Sequence, residues 1–163
     1  IMLIAAAAVY GGVSYTALKR EQLTELEALC HTLRLMQDEL ETRALPLPEL
    51  AAQLEERTES AGKALLSGLL RRLPELGSRD FQNIWEECVT ESVKHSEEAA
   101  RLLCTLGSFL GRYDVDSQLE AIRSCRETLE KLRTTAAEAL PQTRRLGMGL
   151  ALTSGALIVI TLI

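Results

Sequence analysis

The two ends of this chain carry no charged side chain, and this constrains its folding more than any other feature. No Asp, Glu, Lys or Arg occurs from Ile1 to Leu18 or from Leu146 to Ile163, and all 18 basic and 23 acidic residues lie between Lys19 and Arg145. A helix of about 18 residues reaches about 27 Å, against about 30 Å of bilayer hydrocarbon, just enough to span. The overall composition, 47% hydrophobic and 25% charged, resembles that of an ordinary soluble domain and hides the segregation.

Each end has a competing reading. A cleavable signal peptide carries its charges before the apolar run. Here Lys19 and Arg20 follow the run, and the stretch Ala5 to Ala8, which mimics a cleavage site, lies inside it. The first residue is Ile, so the first segment is expected to extend further upstream. The C-terminal segment competes with a buried core helix. Its run from Ala156 to Ile163, broken only by Thr161, favours a span. The expected organisation is therefore a transmembrane helix at 1–18, a helical bundle at 19–145 and a transmembrane helix at 146–163.

Orientation follows from the flanks. Lys19–Arg20 and Arg144–Arg145 both abut the middle region, which the positive-inside rule places in the cytoplasm. The net charge of −5 lies wholly in that region and argues against nucleic-acid binding, which needs a basic surface.

Prolines and glycines divide the middle region into five expected helices. The first continues from the membrane through Glu41, with Leu26, Leu29, Leu33, Met36 and Leu40 at three-and-four spacing. The second starts near Pro48, a residue suited to a first helical turn, and buries Leu50, Leu54, Ala61, Leu65 and Leu69. It fades at Leu73–Pro74, and Gly77 supplies a turn. Ser78 or Asp80 caps the third, whose apolar face is Phe81, Ile84, Trp85, Cys88 and Val89. The fourth begins near Ser96 with acids in its first turn and directs Leu103, Leu106 and Leu110 inward. The fifth, capped by Asp114 or Asp116, carries Leu119, Ile122, Cys125, Leu129, Leu132 and Ala136 on one face. Pro141 is expected to kink or break its connection to the membrane. Narrow apolar stripes opposite charged faces predict an all-α antiparallel bundle, with its first and last helices ending on the same side.

No catalytic motif stands out. The chain has no phosphate-binding glycine loop followed by Lys, no HExxH and no nucleophile elbow. His31 and His95 lack metal-ligand spacing, and Cys30, Cys88, Cys104 and Cys125 form no CxxC pair. The scattered thiols read as small apolar core residues, and acidic pairs such as Glu86–Glu87 and Glu97–Glu98 as solvated helix faces. No cofactor, metal or enzymatic activity is expected.

Small residues recur on the apolar segments. Gly147, Ala151 and Gly155 are spaced by four, as are Ala7 with Gly11 and Ala8 with Gly12. Such faces let membrane helices approach closely, so Gly11, Gly12, Gly147, Ala151 and Gly155 are candidate helix contacts, between the two segments or with partners.

Phe81-Gln82-Asn83-Ile84-Trp85, then Leu106-Gly107 and Leu110-Gly111 leading to Asp114 and Gln118, then a long charged helix and a terminal apolar segment occur here in order. Gln22-Leu23 and Leu45-Pro46-Leu47-Pro48-Glu49-Leu50 precede them. In that combination the chain resembles the stage III sporulation protein AB family over nearly its whole length. The resemblance implies a protein of an endospore-forming bacterium, in the mother-cell membrane facing the forespore. It further implies a place in the stage III A channel, similar to the type II secretion system F protein. The implied role is a scaffold between a cytoplasmic ATPase like stage III sporulation protein AA and the other stage III A membrane subunits. Homo-oligomers are compatible with it. Leu106, Gly107, Leu110, Gly111, Asp114 and Gln118 then have two readings: a partner-docking turn, or a structural turn with glycines permitting close contact and Asp114 capping the next helix. The structural reading is favoured. The alternative function is a signalling bundle relaying between two transmembrane helices. Continuous heptads would support it, but Pro46, Pro48, Pro74 and Pro141 interrupt them.

Overall fold

The computed structural model describes the backbone of residues 2–110 and 114–162 and the side chains of residues 15–110 and 114–140. Among the described residues there are six α-helices: α1 (Met2–Arg43), α2 (Leu47–Glu55), α3 (Ser60–Arg72), α4 (Phe81–Ser92), α5 (Glu97–Gly107) and α6 (Val115–Leu162). A single 3-10 turn, Leu73–Glu75, follows α3. The all-α bundle is as the apolar periodicity predicts. The described residues contain no strand, only an isolated bridge between Leu76 and Arg79.

The first stripe becomes the spine of the core. Leu26, Leu29, Leu33, Met36 and Leu40 are all buried on α1, facing Leu50, Leu54, Leu65, Leu66 and Leu69. The longest helix pairing is α1 against α6. It is antiparallel: Arg123 near the start of α6 meets Glu41 near the end of α1. Further along, Arg126, Glu130 and Arg133 of α6 act electrostatically on Cys30 of α1. The ends of these two helices that lead into the apolar segments therefore lie on the same side of the bundle.

Two expectations need correction. The helix expected to start near Pro48 is two helices. Arg57 NH bonds the Leu54 carbonyl at 3.0 Å, the buried Thr58 hydroxyl donates to the same carbonyl, and Ser60 has a φ of 49°. No proline or glycine announces this break. Its packing reason is Gly62, where a Cβ would fall 1.9 Å from Thr32 Oγ1 of α1. Starting α3 afresh lets its first turn approach α1 this closely. The second correction concerns the break expected at Pro141: α6 continues through it, from Val115 to Leu162. Proline removes only one amide donor from a helix of this length.

Among the described residues no helix is long and apolar enough to cross a membrane. The expected spans at 1–18 and 146–163 lie outside the side chains described, save for residues 15–18.

Candidate functional site

The segment from Leu106 to Gln118 is built mainly inward. Leu106 and Leu110 are buried, and Gly107 lies under the indole of Trp85. A Cβ at Gly107 would sit 2.2 Å from Trp85 Cδ1. The indole cannot swing aside freely: it is fully buried, its Nε1 donates to the Leu103 carbonyl at 2.6 Å, and Phe81 stacks on it at 6.0 Å. Gln82 adds a side-chain bond to the Cys104 carbonyl at 3.0 Å. The Phe81–Trp85 motif thus serves to lock α4 to α5.

Beyond the turn, Asp114 caps α6. Its carboxylate accepts from the Ser117 amide at 3.2 Å and from the Ser117 hydroxyl at 2.8 Å. These bonds hold the Asp114 carboxyl below its ordinary range. The Gln118 amide bonds the Asp114 carbonyl at 3.1 Å, continuing the helix. What this corner offers outward is Phe109 and Val115, both exposed. Gly111 lies outside the described residues, as do the candidate helix contacts Gly11, Gly12, Gly147, Ala151 and Gly155.

The structure adds a residue that the sequence reading did not single out. Glu25 is only 5% exposed. Its carboxylate accepts backbone amides from Lys94 at 2.8 Å, His95 at 3.1 Å and Ser96 at 3.0 Å, the loop between α4 and α5. Charge-assisted bonds of this kind are about twice as strong as neutral ones. Ser96 continues the join by capping α5, accepting from the Ala99 amide at 3.2 Å. The available signal was position: Glu25 precedes Leu26 and lies one turn before Leu29, on the edge of the apolar stripe.

Charge elsewhere is organised as bridges between neighbouring helices. Arg72 of α3 meets Glu91 at 2.5 Å and Glu87 at 3.6 Å on α4, and Arg79 bonds Glu75 at 2.8 Å and also Glu87. Arg79 holds the Glu87 carboxyl below its ordinary range. The four cysteines are free thiols. Burial pushes Cys30 up to about 11 and Cys125 up to about 12, which makes them poor nucleophiles near neutral pH. Among the described residues no group of His, Cys, Asp and Glu is placed to hold a metal ion. An open hollow is lined by Thr24, Glu27, His31, Arg57, Glu59 and Ser60, and by Ala28.

At the end of the bundle nearest the first apolar segment, Tyr15 and Leu18 are exposed, and the Lys19 ammonium lies 5.8 Å from the Tyr15 ring centre. Lys19 also donates to Gln22 Oε1 at 3.1 Å.

Comparison with known proteins places this architecture. The model of the family described as stage III sporulation protein AB matches residues 1–163. A solved structure titled "Stage III sporulation protein AB (SpoIIIAB)" is similar in fold, with a TM-score of 0.64 at 21% identity, covering 74% of this chain and 97% of that one. No curated protein matches. With its full length matched, the chain belongs to the stage III sporulation protein AB family.

Proposed function

We propose that the chain is a non-catalytic membrane platform of the stage III A sporulation channel, coupling a cytoplasmic secretion-type ATPase to membrane subunits. The observation that carries this reading is the antiparallel pairing of α1 with α6. It directs both apolar ends to one side of the bundle and leaves the opposite end, with Phe109 and Val115 exposed, for partners. Family membership supplies the sporulation context. On this reading the bundle lies in the mother-cell cytoplasm, the two apolar ends pass into the membrane facing the forespore, and their small-residue faces pack together or against other stage III A subunits, including further copies of the chain. Within the corner from Leu106 to Gln118, the buried Leu106, Gly107 and Leu110 shape the distal end, and the exposed Phe109 and Val115 offer the contacts.

The test is co-purification of the full chain with a stage III sporulation protein AA-like ATPase from detergent extracts. Retention that is lost on Phe109→Glu, with the helical circular dichroism signal unchanged, supports the platform role. Absence of binding between two folded proteins overturns it.

A second reading, a relay between two membrane helices, draws on one observation. α1 and α6 run without interruption from the bundle into the apolar segments, so a displacement of one end would be carried rigidly. Cysteine cross-linking of the two apolar segments separates the readings. A relay requires an effector-dependent change in cross-linking pattern, and a platform gives one fixed pattern.

A further inference from the structure

The loop between α4 and α5 has a place and a charge that the platform reading leaves unused. Glu25 fixes its backbone to α1 through the amides of Lys94, His95 and Ser96, and His95 Nδ1 lies 3.7 Å from Glu21. The loop therefore lies alongside the stretch of α1 between Glu21 and Glu25. Counted from Leu18, where the apolar run ends, that stretch lies about 5–10 Å along the helix axis at about 1.5 Å per residue.

The structure also marks where the boundary falls. Among the described residues Tyr15 and Leu18 are the most exposed large apolar side chains, at 52% and 55%, and Lys19 sits against the Tyr15 ring. An exposed Tyr beside a Lys at the edge of an apolar run is the pattern of a membrane interface. The Lys94 side chain is exposed and pairs with no carboxylate among the described residues. Glu25, which accepts from the Lys94 backbone amide, is occupied with the loop's own amides, and Glu21 faces His95. Glu97 and Glu98 follow on α5, which leads back toward the far end, and Glu97 pairs with Arg101 at 3.7 Å. A lysine side chain extends far enough to bring its ammonium toward the headgroup level while its stem stays on the protein.

We propose that the α4–α5 loop is a further point of membrane contact, where Lys94, with His95 beside it, engages anionic lipid headgroups. This rests on the reading that the apolar ends enter a membrane. Added to the two helix entries, α1 and α6, the loop at Lys94 would draw the α4–α5 side of the bundle toward the surface. The loop lies within about one Debye length, about 8 Å at physiological ionic strength, so a single lysine contributes about fivefold to local association with an anionic surface.

The experiment uses the full chain in nanodiscs of phosphatidylcholine alone or with one-third phosphatidylglycerol, each doped with a headgroup nitroxide lipid. Paramagnetic broadening of backbone amides is read at residues 19–20 and at residues 93–96. The expected result is broadening at 19–20 in both discs and broadening at 93–96 that is about fivefold stronger in the anionic discs. Lys94→Glu should abolish that difference while the chemical shifts of the loop amides bonded by Glu25 stay in place. The proposal is overturned if 19–20 are broadened and 93–96 are not. It is equally overturned if the loop is broadened to the same extent in both discs or in Lys94→Glu. Absence of broadening at 19–20 in either disc would overturn the membrane reading itself, and the proposal with it.

Discussion

Replacing Gly107 by alanine should be far more damaging than one methyl group suggests. The new Cβ would lie 2.2 Å from Cδ1, 2.8 Å from Cγ and 2.9 Å from Nε1 of Trp85. Trp85 is fully buried and held by its bond to the Leu103 carbonyl, so relief requires moving a packed ring or separating α4 from α5. Overpacking of this kind costs about 1–3 kcal/mol. If the ring moves, the indole N–H and its carbonyl acceptor lose each other, a further cost of about 1–3 kcal/mol. Alanine recovers about 0.5–1 kcal/mol of helix propensity. The net loss is about 1–5 kcal/mol, a fall in melting midpoint of roughly 3–20 °C for a domain of this size. The assay is thermal unfolding of the full chain in detergent, followed by circular dichroism. The control is Gly68→Ala, whose Cβ would meet Cys88 Sγ at 3.5 Å, an ordinary contact, and which should leave the midpoint unchanged or raise it. In a Trp85→Ala background, where the obstructing ring is gone, Gly107→Ala should cost almost nothing. Equal midpoints for Gly107→Ala and the wild type, or the same cost with and without Trp85, would refute the reasoning.

Three other outcomes are expected. Ala44 ends α1 with a φ of 48°, a left-handed conformation that suits glycine, so Ala44→Gly should stabilise by up to about 1 kcal/mol and raise the midpoint by a few degrees. Asp114 has a folded-state pKa below its ordinary 3.8, so its contribution is fully present above about pH 4 and is lost as pH falls through the lowered value. Asp114→Ala should therefore lower the urea midpoint at pH 7, with the gap to wild type closing below pH 4; a gap that widens on acidification would contradict the cap. With Cys125 raised from 9.0 to about 12, its thiolate population at pH 8 is about a thousandfold below that of an ordinary thiol, so maleimide should reach half-buried Cys104 well before Cys125. Mass-spectrometric mapping over time checks the order, and rapid Cys125 labelling in the folded chain would argue against its burial.

Much of the fold is legible in the residues because helix periodicity is a local signal. Leu26, Leu29, Leu33, Met36 and Leu40 repeat at the helical period, and all are buried against the other helices. Ser96 caps α5, Asp114 caps α6, and Gly77 turns the chain at a φ of 109° as turn chemistry requires. The break before α3 was not legible, because nothing in Arg57-Thr58-Glu59-Ser60 forbids a helix. The chain breaks there so that Gly62 can reach Thr32 of α1, a residue thirty positions away. Pro141 misleads in the opposite sense. It carries a strong local penalty, yet the helix around it continues.

The site residues divide along the same line. Leu106, Gly107, Leu110, Asp114 and Gln118 could be picked out by spacing, but spacing does not say what a glycine makes room for. Only the packing identifies Trp85 as the reason for Gly107. Glu25 shows the limit most clearly. In sequence it is one of 23 acidic residues, and in the fold it is buried because three amides from a loop some seventy residues later converge on it. The sequence by itself determined what depends on near neighbours: uncharged ends, helical stripes, caps, turns and family membership. Tertiary structure alone decided which glycine is a contact, which acid is buried and which loop lies beside the start of the bundle. Those outcomes depend on groups brought together from distant parts of the chain, and local propensity carries no record of them.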